Sequence, residues 1–130
     1  MAEADERPLM TPAYTYRAEI VSVYDGDTIT VDIDVGFGVW LHGQKIRLYG
    51  INAPEVRGDE REAGIKSRDA LRQMLPPGRS VVIATRRDKK GKYGRWLGEV
   101  YCTVAATPGG PLICANEALV RRGHAKRAEY

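Results

Sequence analysis

A strict alternation of apolar and polar side chains between Ile29 and Val35 constrains the fold more than any other stretch. The apolar residues are Ile29, Val31, Ile33 and Val35, and Thr30, Asp32 and Asp34 lie between them. A period of two predicts a β-strand with one buried face, and the strand pattern extends from Tyr16 to Val35. Asp25 and Asp27 share the parity of the inward residues. We therefore expect both carboxylates at the mouth of the core.

The remaining elements alternate between strands and short helices. Strands are predicted over 46–51, 80–85 and 97–104, with a short return strand at Leu112 and Ile113. One helix follows Asp59 and Glu62, which are spaced like a capping box, and it ends at the Pro-Pro-Gly of 76–78. Its apolar stripe is Ala63, Ser67, Ala70, Leu71 and Met74. A second helix covers 116–122. The order predicts an α+β chain, mainly β: a five-stranded barrel of the OB type with about two packed helices.

The chain length of 130 residues predicts a single domain. Residues 1–14 are expected to form a flexible lead-in, and residues 15–130 the domain itself. No apolar run approaches the ~18 residues that a membrane span needs, and the first residues lack the features of a signal peptide. We therefore expect a cytoplasmic, monomeric protein without a membrane partner.

Charge is distributed unevenly along the chain. Residues 1–60 hold 5 basic and 11 acidic side chains, whereas residues 61–95 hold 11 basic and 3 acidic ones. This pattern is typical of an enzyme that attracts a polyanion with one surface and holds a cation with another. Two solvated charge runs would produce the same pattern. The most basic segment is the loop 86–95, where Lys89 and Lys90 are candidate nucleic-acid contacts.

Three groups of polar residues lie where strands are predicted to end. Asp25 and Asp27 flank a glycine, and the segment 52–55 adds the amide of Asn52 and the carboxylate of Glu55. Carboxylate, amide and carbonyl oxygens are ligands for hard cations, and a carboxylate also serves as a general base. Arg47 and Arg95 are candidates for bidentate phosphate contact. Each motif alone is equally consistent with an ordinary turn, since Asp, Asn and Gly dominate turns.

Four ordered motifs together resemble the staphylococcal nuclease family. They are VYDGDT at 23–28, IRLYGINAPE at 46–55, KYGR at 92–95 and NEALVRRGHAK at 116–126. The resemblance extends from about Tyr16 to the end of the sequence. It implies an OB-fold barrel with a calcium-dependent nuclease activity that cleaves DNA and RNA and leaves a 3′-phosphate. Little sequence preference is expected, and single strands are the preferred substrate.

The resemblance also implies a role for individual residues. Asp27 and Asn52 would hold Ca²⁺ through their side chains, Ala53 through its backbone carbonyl, and Asp25 would be their acidic neighbour. Glu55 matches the general base for the attacking water. Arg47 and Arg95 match the two arginines that bind the scissile phosphate. Lys92 and Tyr93 match residues that contact the terminal phosphate of the nucleotide.

Two departures from the family pattern stand out. Asn52 occupies a position where the family usually has an aspartate, which predicts weaker metal binding because calcium affinity depends on ligand charge. The hairpin between Val31 and Arg47 is longer than in the type member. An alternative interpretation is therefore a catalytically weakened domain that acts as a nucleic-acid-binding module.

The two cysteines and two tryptophans are read as structural residues. Cys102 and Cys114 are symmetric about residue 108, so they could face each other across a hairpin, and reduced thiols are expected. Trp40 and Trp96 are expected to be packing residues, with Trp96 bordering the cleft as the alternative.

Overall fold

The computed structural model describes residues 14–87, 96–103 and 111–128. Within these ranges the chain forms eight strands, one turn of 3₁₀ helix and two α-helices. The strands are β1 (Thr15–Asp25), β2 (Thr28–Asp34), β3 (Trp40–Leu48), β4 (Ile51–Asn52), β5 (Ser80–Arg87), β6 (Trp96–Thr103), β7 (Leu112–Cys114) and β8 (Lys126–Arg127). The helices are the 3₁₀ turn Gly58–Glu60, α1 (Arg61–Met74) and α2 (Ala115–Arg121).

Five of the strands close into a barrel. They are hydrogen-bonded in the order β3-β2-β1-β5-β6, and a parallel pairing of β3 with β6 closes the ring. The other neighbours in this barrel are antiparallel, and β7 extends the sheet beyond β6. The expected α+β fold, a five-stranded OB-type barrel with two packed helices, is confirmed.

The core fills the barrel with aliphatic side chains from alternate strand positions. The fully buried residues include Ile29, Val31, Ile46, Leu48, Ile83 and Val100. Leu71 and Leu75 close the core from α1 and the residue after it, and Leu119 does so from α2. Burial of one such side chain contributes about 1.5–3 kcal/mol, so the barrel depends on these strand faces.

Helix α2 is joined to the barrel by one buried amide. Asn116 is 2% exposed, and its Nδ2 donates to the carbonyl oxygens of Tyr49, at 2.9 Å, and Gly98, at 3.0 Å. Its Oδ1 accepts the N–H of Val100 at 3.0 Å. Asn116 therefore connects α2 to β6 and to the turn that leads into β4.

The boundaries of the first three strands differ from the prediction. The strand pattern over 16–35 forms two strands, β1 and β2, which the turn at Gly26 and Asp27 separates, and β2 ends at Asp34 rather than Val35. Strand β3 begins at Trp40, six residues before the predicted position, because it pairs with the far end of β2. This pairing extends the strand across Gly43.

The predicted capping box of α1 is wrong. The helix begins after the 3₁₀ turn, its N-cap residue is Glu60, and no side chain caps it by a hydrogen bond. The buried stripe also differs, since Gly64 rather than Ala63 faces the barrel together with Ser67 and Leu71.

The cysteines and tryptophans depart from the prediction in their surroundings. Cys102 pairs with Ile113, and Cys114 pairs with Tyr101, so the two cysteines lie on opposite faces of the β6–β7 ladder. Both are free thiols, as expected. Trp40 and Trp96 are 38% and 44% exposed, so neither is a core residue.

Much of the predicted lead-in, residues 1–13, lies outside the described residues, and the division into a lead-in and one domain stays a prediction. In the part of the chain that the structure describes, neither helix combines the length and the apolar character that a membrane crossing requires.

Candidate active site

The turn between β1 and β2 brings two carboxylates together. Asp25 ends β1, and its Oδ1 accepts the backbone N–H of Asp27 at 3.0 Å, as in an Asx turn. Gly26 lies between them, and neighbouring atoms leave no space for a side chain on its Cα. A Cβ built there would lie 2.0 Å from Ser67 Oγ and 2.7 Å from Ala53 Cβ. Glycine is therefore required where this turn packs against α1 and the segment 52–55.

Asp27 joins three segments of the site. It is 8% exposed, and its Oδ2 accepts the backbone N–H of Ala53 at 2.8 Å. Its Oδ1 accepts the hydroxyl of Thr28 at 3.2 Å, and its carboxylate forms an ion pair with Arg47. A buried carboxylate needs such partners, since an unpaired one is strongly disfavoured. Asp27 therefore fixes the position of the 52–55 segment relative to β3.

Arg47 bridges two of the expected calcium ligands. One guanidinium nitrogen pairs with Asp27, and Nη2 donates to the amide oxygen of Asn52. Residues 46 and 48 on either side are fully buried, so the side chain of Arg47 points out of the barrel. Its planar fork therefore lies beside the two acceptor residues, at the position expected to meet a phosphate.

Asn52 is held in place by the C-terminal strand. It lies in β4, which pairs with β8 through Asn52 and Lys126 and through Ile51 and Arg127. The N–H of Ala128 also donates to the carbonyl oxygen of Gly50 at 2.8 Å. The position of Asn52 therefore depends on residues more than seventy positions later in the sequence, a link that the sequence patterns did not reveal.

Glu55 is exposed and lines the same groove as Asp27 and Arg47. Its main chain packs against α1 at Gly64, where a Cβ would lie 2.0 Å from the Glu55 carbonyl oxygen. Helix α1 can approach this segment only because residue 64 has no side chain. A tight backbone contact with the helix therefore supports the segment that places Glu55 at the groove.

Asp25 has an altered acidity. Burial, with the neighbouring carboxyl group of Asp27, raises the pKa of Asp25 to about 6. Burial disfavours the charged form, and a second acid nearby adds to this effect. The two aspartates therefore form one interacting pair.

These side chains line a single open groove of about 1320 Å³. Among the described residues that line it, seven are Lys or Arg and four are Asp or Glu. The basic residues are Lys45, Arg47, Arg57, Arg61, Arg68, Arg72 and Lys126. The acidic residues are Asp25, Asp27, Glu55 and Glu60. The described lining thus carries more basic than acidic side chains, a charge balance that attracts a polyanion.

The loop that carries the remaining predicted contacts is not described. Lys89, Lys90, Lys92, Tyr93 and Arg95 lie outside the described residues. The structure brings together Asp25, Asp27, Arg47, Asn52, Ala53 and Glu55, and the roles assigned to all eleven residues stay predictions.

The oxygen atoms of the turn and the 52–55 segment are of the type that hard cations bind, but few of them carry a negative charge. Calcium takes about 6–8 oxygen ligands, usually with several carboxylates. The turn and the 52–55 segment offer two aspartates, one amide and backbone carbonyls. No group of three or more His, Cys, Asp or Glu side chains suited to a metal occurs within 14–87, 96–103 and 111–128. Because Arg47 contacts Asp27 and Asn52, a cation and the guanidinium would compete for the same oxygens.

Three residues that position the site were not predicted from the sequence: Gly26, Gly64 and Ser67. A glycine inside a helical pattern costs about 1 kcal/mol relative to alanine, and that cost indicates a packing reason. Gly64 could have been found by this signal. Ser67 could not, since a serine on an apolar stripe carries no comparable mark.

Comparison with known proteins identifies relatives for most of the chain. A profile of the family described as staphylococcal nuclease homologue matches residues 45–130, a range that contains Arg47 and the 52–55 segment but begins after Asp25 and Asp27. Endonuclease YhcR of Bacillus subtilis is 32% identical over 118 residues, covering 85% of this chain. Protein ParB of Escherichia coli is 35% identical over 118 residues, covering 88% of this chain.

These relatives are longer than the chain. The aligned part amounts to 9% of YhcR and 59% of ParB. The family profile covers about two thirds of the sequence, and the closed barrel is the fold that the motifs implied. The resemblance seen in the sequence is thereby confirmed, and the chain belongs to the family of staphylococcal nuclease homologues.

Proposed function

We propose that the chain is a calcium-dependent endonuclease that hydrolyses phosphodiester bonds of DNA and RNA and leaves 3′-phosphate ends. The observation that carries the proposal is the groove in which Asp27, Arg47 and Glu55 meet, in a chain that belongs to a nuclease family. The relative named an endonuclease, YhcR, supports the same reaction class.

Each residue of the groove has a defined task in this reaction. Asp27, Asn52 and the Ala53 carbonyl would hold Ca²⁺, with Asp25 adding negative charge beside them. When bound, the ion supplies positive charge that offsets the charge of the phosphate oxygens. Glu55 accepts a proton from the attacking water, which its exposure in the groove permits. Arg47 and Arg95 stabilise the charge that develops on the phosphate in the transition state.

The charge of the groove favours a substrate recognised through its backbone. Seven of the groove's described residues are basic, and such side chains bind phosphates without reading bases. Little sequence preference follows. An open groove on a small barrel accommodates a flexible single strand, DNA or RNA, better than a stiff duplex. The protein acts as a monomer.

One observation favours a second function. Asn52 lies where the resemblance to the family implies an acid, and the described residues hold no cluster of three acidic, His or Cys side chains suited to a metal. A domain with such a site would bind nucleic acid in the basic groove without cleaving it. The presence of Glu55 in the same groove as Arg47 favours the nuclease, because a binding module gains nothing from a general base.

The test incubates the purified protein with denatured DNA and with single-stranded RNA, in Ca²⁺ and in chelator. Cleavage in Ca²⁺ alone is expected, and the fragments should accept end-labelling at the 5′ end without prior phosphatase treatment. Glu55→Gln should lower kcat about 100-fold, since general-base catalysis typically contributes 10²–10⁴-fold. Glu60→Gln, also in the groove, is the matched control and should retain activity.

Three outcomes contradict the nuclease proposal. Binding of DNA in chelator without cleavage in Ca²⁺ supports the binding module. Cleavage that leaves a 5′-phosphate excludes the proposed products. Equal activities of Glu55→Gln and the unaltered protein exclude Glu55 as the base.

A further inference from the structure

The outer face of the β2–β3 hairpin continues beyond the groove. In this hairpin, Thr28 pairs with Arg47, Thr30 with Lys45, and Asp34 with Trp40. Residues that pair directly across an antiparallel ladder project their side chains to the same face. The face that begins with Arg47 and Lys45 in the groove therefore ends with Trp40.

A β-bulge places Trp40 on this face. Trp40 lies seven positions before Arg47, an odd number, so simple alternation would put the two side chains on opposite faces. Between the pairs Val31–Gln44 and Ile33–Leu41, β3 contains one residue more than β2. This extra residue reverses the parity of the strand. The bulge thus places the indole on the same face as Arg47 and Lys45, and Leu41 on the opposite face.

Trp40 is exposed on a face that also carries acidic groups. The indole is 38% exposed. The carboxylate of Asp32 accepts the N–H of Gly43 and pairs with His42, and that of Asp34 accepts the N–H of Gly36. Glu19 of β1 lies beside Asp32, and Arg17 beside Asp34. These carboxylates disfavour a phosphate at this end of the face. An uncharged base can still stack on the indole of Trp40, because stacking does not require a positive partner.

We propose that this face is a substrate subsite for single-stranded nucleic acid, where Lys45 contacts a phosphate next to the scissile one and Trp40 stacks on a base farther along the strand. The subsite rests on the proposed function, because its position is defined relative to the scissile phosphate that Arg47 binds. Lys45 is exposed and lines the groove, so it continues the line of phosphate contacts. Trp40 then supplies the aromatic contact beyond it.

The length of the hairpin suits several nucleotides. Thr28 and Asp34, the partners of Arg47 and Trp40, are six residues apart, a span of about 20 Å at about 3.3 Å per residue. Single-strand sites on barrels of this type cover about 4–16 nucleotides. A dinucleotide held at Arg47 falls short of Trp40, whereas a strand of twelve nucleotides reaches it.

The experiment measures kcat/KM in Ca²⁺ for a thymidine dinucleotide and for a twelve-nucleotide oligothymidylate. Trp40→Ala should lower kcat/KM for the long substrate about tenfold, the loss of one base–aromatic contact, and leave the dinucleotide unchanged. Trp40→Phe should restore most of the loss. Leu41→Ala is the matched control, because Leu41 is adjacent, 45% exposed and on the opposite face. It should alter neither substrate.

A second measurement separates this subsite from the reaction itself. Fluorescence anisotropy of labelled oligonucleotides of both lengths is measured with the Glu55→Gln protein, with and without Trp40→Ala. If the unaltered protein cleaves neither substrate, the proposed function fails. The subsite is still supported if the long strand binds more tightly than the dinucleotide and Trp40→Ala abolishes this difference. Binding of both lengths that does not depend on Trp40 overturns it.

Two further results overturn the subsite. One is an equal loss of kcat/KM on both substrates in Trp40→Ala, which indicates a general disturbance of the groove. The other is a dimer of the unaltered protein that Trp40→Ala converts to a monomer in light scattering, which assigns the indole to contact with a second copy of the chain.

Discussion

At the scale of single residues, Arg47 shows how a local pattern gains partners from distant segments. An arginine between Ile46 and Leu48 in a barrel wall must direct its charge outward, which the sequence already implied. Its partners Asp27 and Asn52 come from a turn and a short strand on either side of it in the sequence. One partner is charged and the other neutral, so the negative charge at the centre depends largely on Asp25 and Asp27.

Replacing Asn52 by Asp should strengthen cation binding. The change adds one negative charge, and we expect the dissociation constant of Ca²⁺ to fall about tenfold. Isothermal titration calorimetry with Ca²⁺ in the absence of nucleic acid measures it. Asn52→Ala, which removes the oxygen, is the control and should weaken binding. An unchanged affinity in Asn52→Asp would show that position 52 contributes no ligand.

Ser67 carries a hydroxyl that costs stability. Its Oγ is fully buried against Gly26 and has no hydrogen-bond partner among the described residues. Leaving a buried polar group unsatisfied costs about 1–3 kcal/mol, so Ser67→Ala should raise the free energy of unfolding by about 1 kcal/mol. Urea denaturation measures this change. Ser80→Ala, on an exposed residue, should leave stability unaltered, and a loss of stability in Ser67→Ala would contradict the assignment.

At the scale of elements, α1 supports the site from behind. Gly64 lets the helix contact the main chain of Glu55, and Ser67 packs against the turn at Gly26. Arg72 of the same helix donates to the carbonyl oxygen of Val23 from two nitrogens, at 3.3 and 3.1 Å, and so fixes the helix to β1. The helix therefore positions both acidic segments of the groove at once.

Gly64→Ala should damage both stability and activity. Alanine favours a helix by about 1 kcal/mol over glycine, but the added Cβ would lie 2.0 Å from a backbone oxygen of Glu55. The segment must move, so we expect a net loss of stability of about 1–3 kcal/mol. Misplacing the base by about 1 Å lowers kcat by up to about 100-fold. Thermal unfolding and steady-state kinetics measure the two effects.

The control for Gly64→Ala is Ala63→Gly on the exposed side of the same helix. It should reduce stability by about 1 kcal/mol without changing kcat, because Ala63 does not face the site. Equal kcat values for the two variants would contradict the positioning role of Gly64.

At the scale of the whole molecule, the groove concentrates charge that is spread widely in the sequence. Its basic residues come from β3, the segment after β4, α1 and β8. The sequence showed only a basic stretch over 61–95. The fold places part of that stretch in the same groove as the acidic turn, and binding of a polyanion should depend strongly on salt because of the basic side chains.

Arg61→Ala should make binding less sensitive to salt. Each phosphate contact to a single strand contributes about −0.7 to the slope of log K against log salt concentration. Removing one contact at Arg61 should reduce the magnitude of the slope by about 0.7. Anisotropy titrations of a labelled oligonucleotide at several salt concentrations measure the slope. Lys66→Ala, on α1 outside the groove, should leave it unchanged, and equal slopes for all three proteins would exclude a phosphate contact at Arg61.

Much of the fold could be predicted because its signals are local. The alternation over 29–35 correctly predicted a strand. The proline–glycine signal at 76–78 correctly predicted the end of a helix. Errors occurred where a neighbouring element decided the outcome. The start of β3 depends on pairing with β2, and the faces of Cys102 and Cys114 depend on a register that differs by one residue from the symmetric one.

The sequence by itself determined which residue types the chain carries at its strand ends, the period of its strands and the family to which it belongs. Only the tertiary structure decided that Arg47 meets Asp27 and Asn52, that a glycine in α1 is needed behind Glu55, and that a bulge places Trp40 on the same face as Arg47. The reason is physical. Side-chain period and turn chemistry are set by neighbours in the chain, whereas register and close packing arise between segments far apart in it.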